Sequence, residues 1–406
     1  MIDLSLENIG RALTQRSSSA FATDIDNFSE EIELKLNETR VLVVGGAGSI
    51  GSETVKILAT YSLKHLVVAD VSENYLAKLI RDIRSNTTPP KAKKIDVIPL
   101  DYTGPQMNKL LSSQKDSFDY VLNFAALKHV RSEKDVFSLL QMFHTNITGQ
   151  QQFKNYLNSG VGTKNYFGVS TDKASNPTSL MGASKRVMED VVFDTTTKNI
   201  GRKTSTRFAN VAFSNGSLPL SFVDRLASNQ PMAVPKDTRR YFVSLKESGQ
   251  ICLISAVLAP DQNIIVPKLK PEECLITMES VAEIFLNAAG YTPYFTGSEH
   301  EAKSELSKLK ANKQWPVLTT PLDTAGEKPY EEFVAEGEST IDIGYNSVEC
   351  VGHIEPENLN HLLSRLKELV DEAKNTVTVD IIANLISAYL PSFSHKSSEK
   401  KLDDRM

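Results

Sequence analysis

The sequence has few of the residues that stabilise small secreted or zinc-binding proteins. Three of its 406 residues are cysteines, Cys252, Cys274 and Cys350, and they lie far apart with no CxxC spacing. An odd number of scattered thiols argues against a disulfide framework and a zinc knuckle. The seven histidines are also scattered without the spacing of metal ligands, so we expect no bound metal.

Long apolar runs and an excess of basic charge are also missing. No run approaches the roughly 18 apolar residues that span a bilayer, and the first residues lack the layout of a signal peptide. Forty-five Lys and Arg against fifty Asp and Glu give a net charge of −5, which argues against a nucleic-acid binder. We therefore expect a soluble, reduced, cytoplasmic protein with no membrane span, built as one large enzyme domain with an accessory lobe.

Short apolar runs alternate with helical patterns along the first half of the chain. Runs with strand character lie at 41–44, 66–69, 96–100, 120–124 and 166–169. Continuous apolar strands that alternate with helices are typical of a parallel sheet covered on both faces. The pattern predicts an α/β fold, a doubly wound parallel sheet, with a second, smaller lobe later in the chain.

A glycine-rich loop joins the first strand to a helix. The segment GGAGSIG fits GxGxxG through Gly46, Gly48 and Gly51, and it fits GxxGxxG through Gly45, Gly48 and Gly51. Glycine permits a tight turn and the close approach of a pyrophosphate, and the amides of the helix start hold the phosphates. A P-loop is excluded because Ser52 follows Gly51 where a lysine is required.

An acidic residue follows at the place where a dinucleotide-binding loop needs one. Asp70 ends the next strand, nineteen residues after Gly51, where a carboxylate can accept hydrogen bonds from an adenosine ribose. It would repel a 2′-phosphate and so favours NAD over NADP, although Arg81 and Arg84 keep NADP open. The alternative is a structural strand–turn–helix with an incidental aspartate. The strand, the glycine loop, the helix and Asp70 all occur at the expected spacing, which favours the dinucleotide-binding interpretation.

Reactive side chains follow the strand at 166–169. Thr171, Asp172 and Lys173 lie where a doubly wound sheet binds its ligands. A hydroxyl, a carboxylate and an amine delivered together can supply an orienting group, an acid and a base, and the adjacent Asp172 and Lys173 should titrate as a coupled pair. A solvated loop with an inert ion pair explains the same residues equally well.

Several motifs in the same order along the chain resemble one family. They resemble the extended short-chain dehydrogenase/reductase superfamily with its Rossmann fold, and more closely its CapD-like branch, the nucleotide-sugar 4,6-dehydratases of polysaccharide biosynthesis. The resemblance covers roughly residues 40–335. The matching stretches are 45–51, 123–130, 145–146, 170–186, 207–211, 215–217, 240–242 and 326–332.

The resemblance implies an NAD-dependent dehydratase that acts on UDP-N-acetylglucosamine. In this chemistry NAD takes a hydride from C4 of the sugar, a base removes the C5 proton, and the C6 hydroxyl leaves as water before the hydride returns to C6. By the same resemblance Asp172 is the acid at C6, Lys173 is the base at C5, and Thr171 binds the C4 oxygen. Lys185 would hold the nicotinamide ribose.

One position departs from the pattern of the wider superfamily, and two more depart from the pattern of the CapD-like branch. Met181 occupies the tyrosine place of Tyr-x-x-x-Lys, four residues before Lys185, and methionine cannot take a proton. The CapD-like branch itself often has this methionine, and such members resemble enzymes that retain the C5 configuration. Asn215 and the pair Thr324-Ala325 replace arginines of the branch, and neither suits a diphosphate as arginine does. UDP and GDP sugars therefore both stay open.

The motifs and the resemblance together predict the site residues. We expect the cofactor to contact Gly45, Gly48, Ser49, Ile50, Gly51, Asp70, Asp101, Ala125, Ala126, Lys128 and Lys185. We expect the substrate to contact Lys128, Met181, Asn210, Ser217, Arg225 and Arg240. The two arginines are candidate diphosphate contacts, His129 is expected to be structural, and Asn146 is expected to support the site.

The changing composition of the chain predicts its domains. The expected parts are an N-terminal extension at 1–38, an NAD-binding Rossmann domain at 39–206 and 238–262, a substrate-binding lobe at 207–237 and 263–345, a C-terminal helical segment at 346–391 and a disordered tail at 392–406. Within the lobe, the Lys- and Glu-rich stretch 296–325 looks like an inserted surface segment. Resemblance implies a homodimer or higher homo-oligomer through helices around 135–157 and 182–198.

Two other functions stay open at this point. A nucleotide-sugar epimerase shares the hydride step but eliminates no water, and a non-catalytic NAD-binding scaffold would need no chemistry at all. The adjacent Asp172 and Lys173 favour dehydration, because an epimerase needs no acid at C6.

Overall fold

A nine-stranded sheet, most of it parallel, forms the centre of the structure. The computed structural model describes residues 5–128, 133, 135–322, 328–371 and 377–393. Within these ranges the strands are β1 (Arg40–Val44), β2 (His65–Asp70), β3 (Ile95–Pro99), β4 (Phe118–Asn123), β5 (Thr163–Val169), β6 (Ile200–Thr206), β7 (Asn210–Val211), β8 (Met232–Pro235), β9 (Arg239–Val243), β10 (Asn263–Pro267), β11 (Leu275–Thr277), β12 (Thr292–Thr296), β13 (Gln314–Thr320), β14 (Thr340–Ile341) and β15 (Val348–Gly352).

Helices cover both faces of this sheet and continue to the C-terminal part of the chain. The α-helices in the same ranges are α1 (Leu6–Leu13), α2 (Ala22–Asn27), α3 (Ser29–Leu36), α4 (Ser49–Leu58), α5 (Glu73–Arg84), α6 (Pro105–Ser112), α7 (Val136–Phe143), α8 (Gly149–Ser159), α9 (Leu180–Phe193), α10 (Leu218–Ala227), α11 (Leu245–Val257), α12 (Pro271–Cys274), α13 (Met278–Ala288), α14 (Glu299–Ser304), α15 (Leu306–Ala311), α16 (Leu359–Asp371) and α17 (Val379–Tyr389). A π-helical turn at His144–Thr148 joins α7 to α8, and a 3₁₀ turn lies at Asp172–Ala174.

The strand order of the large sheet is β14-β15-β10-β6-β5-β4-β1-β2-β3. Strands β1 to β6 and β10 run parallel to one another, and β15 pairs antiparallel with β10. The order reverses between β1 and β4, and a doubly wound sheet binds its ligands in the crevice at such a point. The predicted doubly wound α/β fold is confirmed.

Alternate residues of the buried strands face opposite sides of the sheet. In β1, Val41 and Val43 belong to one hydrophobic cluster with residues of α4 and α11. Leu42 and Val44 belong to another cluster with residues of α6, α8 and α9. Both faces of the sheet are therefore apolar, which explains the continuous hydrophobic runs in the sequence.

A smaller lobe stands beside the crevice. In the described part of the chain it contains two three-stranded sheets, ordered β11-β9-β7 and β12-β13-β8, and its core includes residues of α1, α10 and α13. Trp315 of β13 is fully buried there. The expectation that 296–325 is an inserted surface segment is therefore wrong. Its charged part forms α14 and α15, but β13 is the central strand of a sheet.

Two segments lie in the large sheet instead of where we expected them. Strand β10 pairs with β6, although we assigned 263–345 to the smaller lobe, because its Ile264, Ile265 and Val266 are buried in the sheet. Strand β15 pairs with β10, although we expected 346–391 to be helical. Both corrections come from pairings between distant parts of the chain, which no local pattern reveals.

The two C-terminal helices, α16 and α17, pack on α7 and α9, which lie in the ranges predicted to form the oligomer interface. Leu362 of α16 and Ile386 of α17 are buried in one hydrophobic cluster with Met142 of α7 and Val187 of α9. This apolar surface of α7 and α9 is therefore occupied within the chain, and the expected homo-oligomer stays a prediction. Of the predicted tail, residues 394–406 lie outside the described residues.

Candidate active site

A cavity of about 480 Å³ opens at the carboxyl ends of β1, β4 and β5, between the large sheet and the smaller lobe. Its volume is within the range of small-molecule sites. The predicted site residues that line it are Gly45, Gly48, Ser49, Ile50, Gly51, Ala126, Lys128, Thr171, Lys173, Met181, Lys185, Asn210, Ser217 and Arg240. The predicted residues that do not line it are Asp70, Asp101, Ala125, Asp172 and Arg225.

The glycine loop has a backbone that side chains would disrupt. Gly45 has a φ of +66°, and a Cβ there would lie 2.6 Å from the Ala125 amide nitrogen. A Cβ on Gly51 would lie 2.5 Å from the Gly45 carbonyl oxygen. Gly48 immediately precedes α4, so the free amides of the helix start lie at the cavity wall. This cradle fits the phosphates of a dinucleotide.

Asp70 supports the glycine loop through its backbone. Its Oδ2 accepts a hydrogen bond from the Ala47 N–H at 3.0 Å, and its Oδ1 accepts one from the Ser72 N–H at 2.9 Å. Each oxygen has further acceptor capacity, which ribose hydroxyls can use. Asp101 is exposed on the loop after β3, where its Oδ1 accepts hydrogen bonds from the Thr103 N–H and hydroxyl, both at 2.9 Å.

The three predicted reactive groups meet where β5 ends. The Thr171 hydroxyl donates to Asp172 Oδ1 at 2.8 Å, and Lys173 Nζ donates to the same oxygen at 3.0 Å. Lys173 Nζ also donates to Asn210 Oδ1 at 3.4 Å. Thr171 and Lys173 line the cavity, whereas the Asp172 side chain is 3% exposed and does not. The carboxylate therefore lies one layer behind the hydroxyl and the amine.

Helix α9 presents Met181 and Lys185 to the same cavity, since residues four apart share one face of a helix. Lys185 Nζ donates to the Val169 carbonyl oxygen at 2.7 Å. Burial lowers the pKa of Lys185 to about 7, and the charge of Glu189 opposes this effect. This amine can therefore change its charge near neutral pH, whereas Met181 has no proton to exchange.

The π-helical turn fixes the loop after β4 against α9. Asn146, in this turn, accepts a hydrogen bond from the Leu127 N–H at 2.9 Å and donates to the Leu127 carbonyl oxygen at 2.8 Å. It also donates to the Ser184 hydroxyl at 2.9 Å. Such turns often occur at functional sites. Asn146 thus supports the site as expected, and His129 lies outside the described residues.

A turn of the smaller lobe contacts the cofactor side of the cavity. Lys128 Nζ donates to the Ser214 hydroxyl at 3.4 Å, and the Asn215 N–H donates to the Ser49 hydroxyl at 2.8 Å. Burial lowers the pKa of Lys128, and the charge of Lys173 adds to the effect. Thr324 and Ala325, the other departure from the family pattern, lie outside the described residues.

The smaller lobe brings Arg240 to the cavity but not Arg225. Arg240 lines the wall, where its Nη1 donates to the Lys328 carbonyl oxygen at 3.0 Å. Arg225, in the last turn of α10, donates to the Pro231 carbonyl oxygen at 2.9 Å. Only the cap and the first residues of α10, from Ser217 onward, line the cavity. The structure therefore does not support Arg225 as a substrate contact.

The site also contains residues that sequence reasoning missed. Those on the wall include Phe124, Phe208, Phe242, Ser214 and Thr238. Phe124, Phe208 and Phe242 lie in the motif stretches 123–130, 207–211 and 240–242, which were the sequence signal that could have identified them. No local pattern distinguishes Ser214 and Thr238. Glu331 lies close behind the wall, with its Oε1 3.9 Å from Lys173 Nζ. Its position in the 326–332 motif was the one sequence signal that could have identified it.

A larger cavity, of about 760 Å³, shares no wall residue with the first. It is lined by the turn at 175–178 and contains neither the glycine loop nor Thr171 and Lys173, so the candidate active site is the smaller cavity. Among the described residues, no group of three His, Cys, Asp or Glu is placed to hold a metal ion. No helix in the same ranges is long and apolar enough to cross a membrane.

Comparisons with known sequences give the chain a family. A family model described as polysaccharide biosynthesis protein matches residues 41–351. The chain is 28% identical over 240 residues to the capsular polysaccharide biosynthesis protein CapD of Staphylococcus aureus, with 58% of this chain and 39% of that protein covered. It is 27% identical over 355 residues to a UDP-glucose 4-epimerase of Rickettsia bellii, with 82% of this chain and 98% of that protein covered. The chain thus spans less than half the length of CapD.

A solved structure has the same fold. The X-ray structure of Pen from Bacillus thuringiensis matches with a TM-score of 0.62 at 20% identity, and the match covers 88% of this chain and 99% of that chain. At this identity the likeness shows the fold alone. The family match, by contrast, confirms the resemblance found in the motifs. The chain belongs to the polysaccharide biosynthesis protein family, and its similarity to CapD supports the CapD-like branch.

Proposed function

We propose that this protein is an NAD-dependent nucleotide-sugar 4,6-dehydratase that converts UDP-N-acetylglucosamine to the 4-keto-6-deoxy sugar with retention at C5. The observation that carries the proposal is the hydrogen-bonded group of Thr171, Asp172 and Lys173, of which Thr171 and Lys173 line the cavity that also contains the glycine loop and Asp172 lies directly behind them. Dehydration needs an acid and a base in one site, and these residues offer both.

The residues present fit NAD as the cofactor. Gly45 and Gly51 allow the loop to pack closely against the backbone at Ala125 and against the start of α4, and the amides of this helix start suit a pyrophosphate. Asp70 suits an unphosphorylated ribose. Lys185, which also lines the cavity, would hold the nicotinamide ribose. When bound, NAD supplies a hydride acceptor for C4 and later a hydride donor for C6.

Thr171 is placed to pass a proton from the C4 hydroxyl to Asp172. Its own hydroxyl already donates to Asp172 Oδ1 at 2.8 Å, so a C4 hydroxyl bound to Thr171 can release its proton along this path as the hydride leaves C4. Met181 is then not required to accept a proton. The transfer leaves Asp172 protonated and therefore able to act as an acid.

Lys173 and Asp172 can complete the reaction without an outside acid or base. Neutral Lys173 takes the C5 proton, and Asp172 gives its proton to the C6 hydroxyl, which leaves as water. After the hydride has reached C6, Lys173 returns its proton to C5. The amine is then neutral and the carboxylate charged, as the next turnover requires, and the two groups are in direct contact at 3.0 Å.

A nucleotide-sugar epimerase is the second candidate. The position of Asp172 behind the wall favours it, because an acid at C6 must reach the sugar, whereas the hydride step needs only Thr171 and the cofactor. The Rickettsia relative named as an epimerase is also aligned over 98% of its own length. The adjacent Asp172 and Lys173 remain the reason to prefer dehydration.

Incubation with UDP-N-acetylglucosamine and no added reductant distinguishes the candidates. Loss of one water from the sugar nucleotide, measured by mass spectrometry, supports the dehydratase. An unchanged mass with a new stereoisomer in the NMR spectrum supports the epimerase. Unreacted substrate, with the UDP sugar and with the corresponding GDP sugar, contradicts both and leaves the NAD-binding scaffold.

A further inference from the structure

The segment 328–338 passes behind residues 171–176, the catalytic turn, and is hydrogen-bonded to Ser175 and Asn176 of this turn. The Ser175 hydroxyl donates to the Glu332 carbonyl oxygen at 2.6 Å, and Asn176 Nδ2 donates to Glu332 Oε2 at 3.0 Å. Further along, the fully buried Arg207 donates to both carboxylate oxygens of Glu338, at 2.6 and 2.9 Å. On the other side of Glu331, the Arg239 N–H donates to the Pro329 carbonyl oxygen at 2.7 Å. The segment is therefore held on both sides of Glu331, and the position of this residue is determined by the fold.

Glu331 is a buried carboxylate among three cations that come from three parts of the chain. Its Oε1 lies 3.9 Å from Lys173 Nζ and 4.0 Å from Arg240 Nη2, and its Oε2 lies 3.7 Å from Lys328 Nζ. The side chain is 5% exposed, and Oε2 has no hydrogen-bond partner among the described residues. Burial raises the pKa of this carboxyl, and the charge of Lys173 opposes the rise. A buried carboxylate without a hydrogen bond is costly unless nearby charges compensate for it.

We propose that Glu331 is a positioning residue that sets the proton affinity of Lys173. The inference rests on the proposed function, in which Lys173 is the base at C5. Each C5 deprotonation turns Lys173 into a cation, and a carboxylate about 4 Å away stabilises that cation. Glu331 thereby makes Lys173 a stronger base than Asp172 alone would.

The other charged groups around Lys173 act in known directions. Asp172, from the same turn, also favours the ammonium form, whereas Lys128 from the loop after β4 disfavours it. Arg240 on β9 and Lys328 face Glu331 and favour its anionic form, whereas burial and the charge of Asp172 favour its neutral form and raise its pKa. Without the Glu331 charge, nothing would offset the positive charges of Arg240 and Lys328 near Lys173. We therefore expect the pKa of Lys173 to fall when this charge is removed.

The test compares Glu331→Gln with the matched control Glu332→Gln. The control makes the same change at the neighbouring carboxylate, which is hydrogen-bonded to Asn176. Trace acetylation of lysine amines over a range of pH, read peptide by peptide in a mass spectrometer, gives the pKa of Lys173 without requiring turnover. We expect Glu331→Gln to lower that pKa by about one unit and Glu332→Gln to leave it unchanged. The rising limb of the kcat profile should move to lower pH by the same amount.

The proposal is overturned if a folded Glu331→Gln protein has the wild-type Lys173 pKa, or if both variants shift it equally. Should Glu331→Gln not fold, Glu331→Asp withdraws the carboxylate by one methylene and must give a smaller shift in the same direction; an unshifted pKa in that variant overturns the proposal as well. The two proposals fail separately. Wild-type protein that leaves UDP-N-acetylglucosamine unchanged rejects the dehydratase, whereas an active dehydratase with an unshifted Lys173 rejects only the role of Glu331.

Discussion

The two sides of the active-site cavity are built in different ways. The cofactor side is mostly one stretch of chain, residues 44–51, and its properties come from the backbone: free amides, a positive φ at Gly45 and missing Cβ atoms. The substrate side is assembled from side chains of separate elements, among them Lys173, Asn210 and Arg240. The geometry of the glycine loop depends on one strand, one turn and one helix that are adjacent in sequence. The reactive side chains come together only when distant elements pack against each other.

The change with the largest expected effect separates the two sides. Lys173→Ala should reduce dehydration by about 10²–10⁴-fold, the usual contribution of a general base, while bound NAD is retained because the glycine loop is untouched. Turnover is measured by mass spectrometry and NAD by the absorbance of the released cofactor. Lys164→Ala, which changes an exposed lysine paired with Asp119 at the start of β5, is the control and should preserve both. Normal turnover in Lys173→Ala would remove the base from the mechanism.

A glycine pair tests the cofactor side. Gly45→Ala places a Cβ 2.6 Å from the Ala125 nitrogen in a positive-φ conformation, and should destabilise the fold by about 1–3 kcal/mol. Gly48→Ala should cost much less, because its φ is −67° and the nearest atom would be 3.5 Å away. Denaturant unfolding without added NAD measures both. If Gly45→Ala and Gly48→Ala lowered the free energy of unfolding equally, the loop would have no special requirement for glycine at position 45.

The buried amine of Lys185 should make stability depend on pH. Its pKa is about 7 in the folded protein and about 10.4 in an unfolded chain. Between these values the unfolded chain binds more protons, so the free energy of unfolding rises with pH, by up to about 1.4 kcal/mol per unit. Lys185→Met should flatten this rise. Lys154, with a pKa also about 7, remains in both proteins, so the difference between them isolates Lys185. Parallel curves for the two proteins would contradict the low pKa.

The smallest effect is expected at the position that departs from the wider family. Met181→Tyr restores the usual tyrosine, but turnover should change little because Thr171 already contacts Asp172 at 2.8 Å. Steady-state kinetics of the two proteins measure this. If turnover were found only in the tyrosine variant, the proton path through Thr171 would be wrong.

Much of the fold and of the cofactor side could be predicted from the sequence because their signals are local. The strand, the loop GGAGSIG and Asp70 follow one another, and the structure joins Asp70 to the loop through the Ala47 N–H. The adjacency of Asp172 and Lys173 likewise predicted their contact. In each case the residues that interact are close in sequence.

The parts that could not be predicted depend on contacts between distant residues. Glu331 lies 158 positions after Lys173, and only the path of the segment behind the catalytic turn brings them together. The burial of Asp172 likewise depends on tertiary packing. The pairing of β15 with β10 and the covering of α9 by α17 have the same origin.

The most direct test of the central claim is the reaction of UDP-N-acetylglucosamine in deuterium oxide, with the sugar nucleotide followed by NMR and mass spectrometry. If Lys173 removes and returns the C5 proton while Asp172 releases the C6 hydroxyl, the product lacks one water and carries deuterium at C5. A product that retains the oxygen at C6 and has no deuterium at C5, with the configuration changed at C4, would show an epimerase and contradict the account.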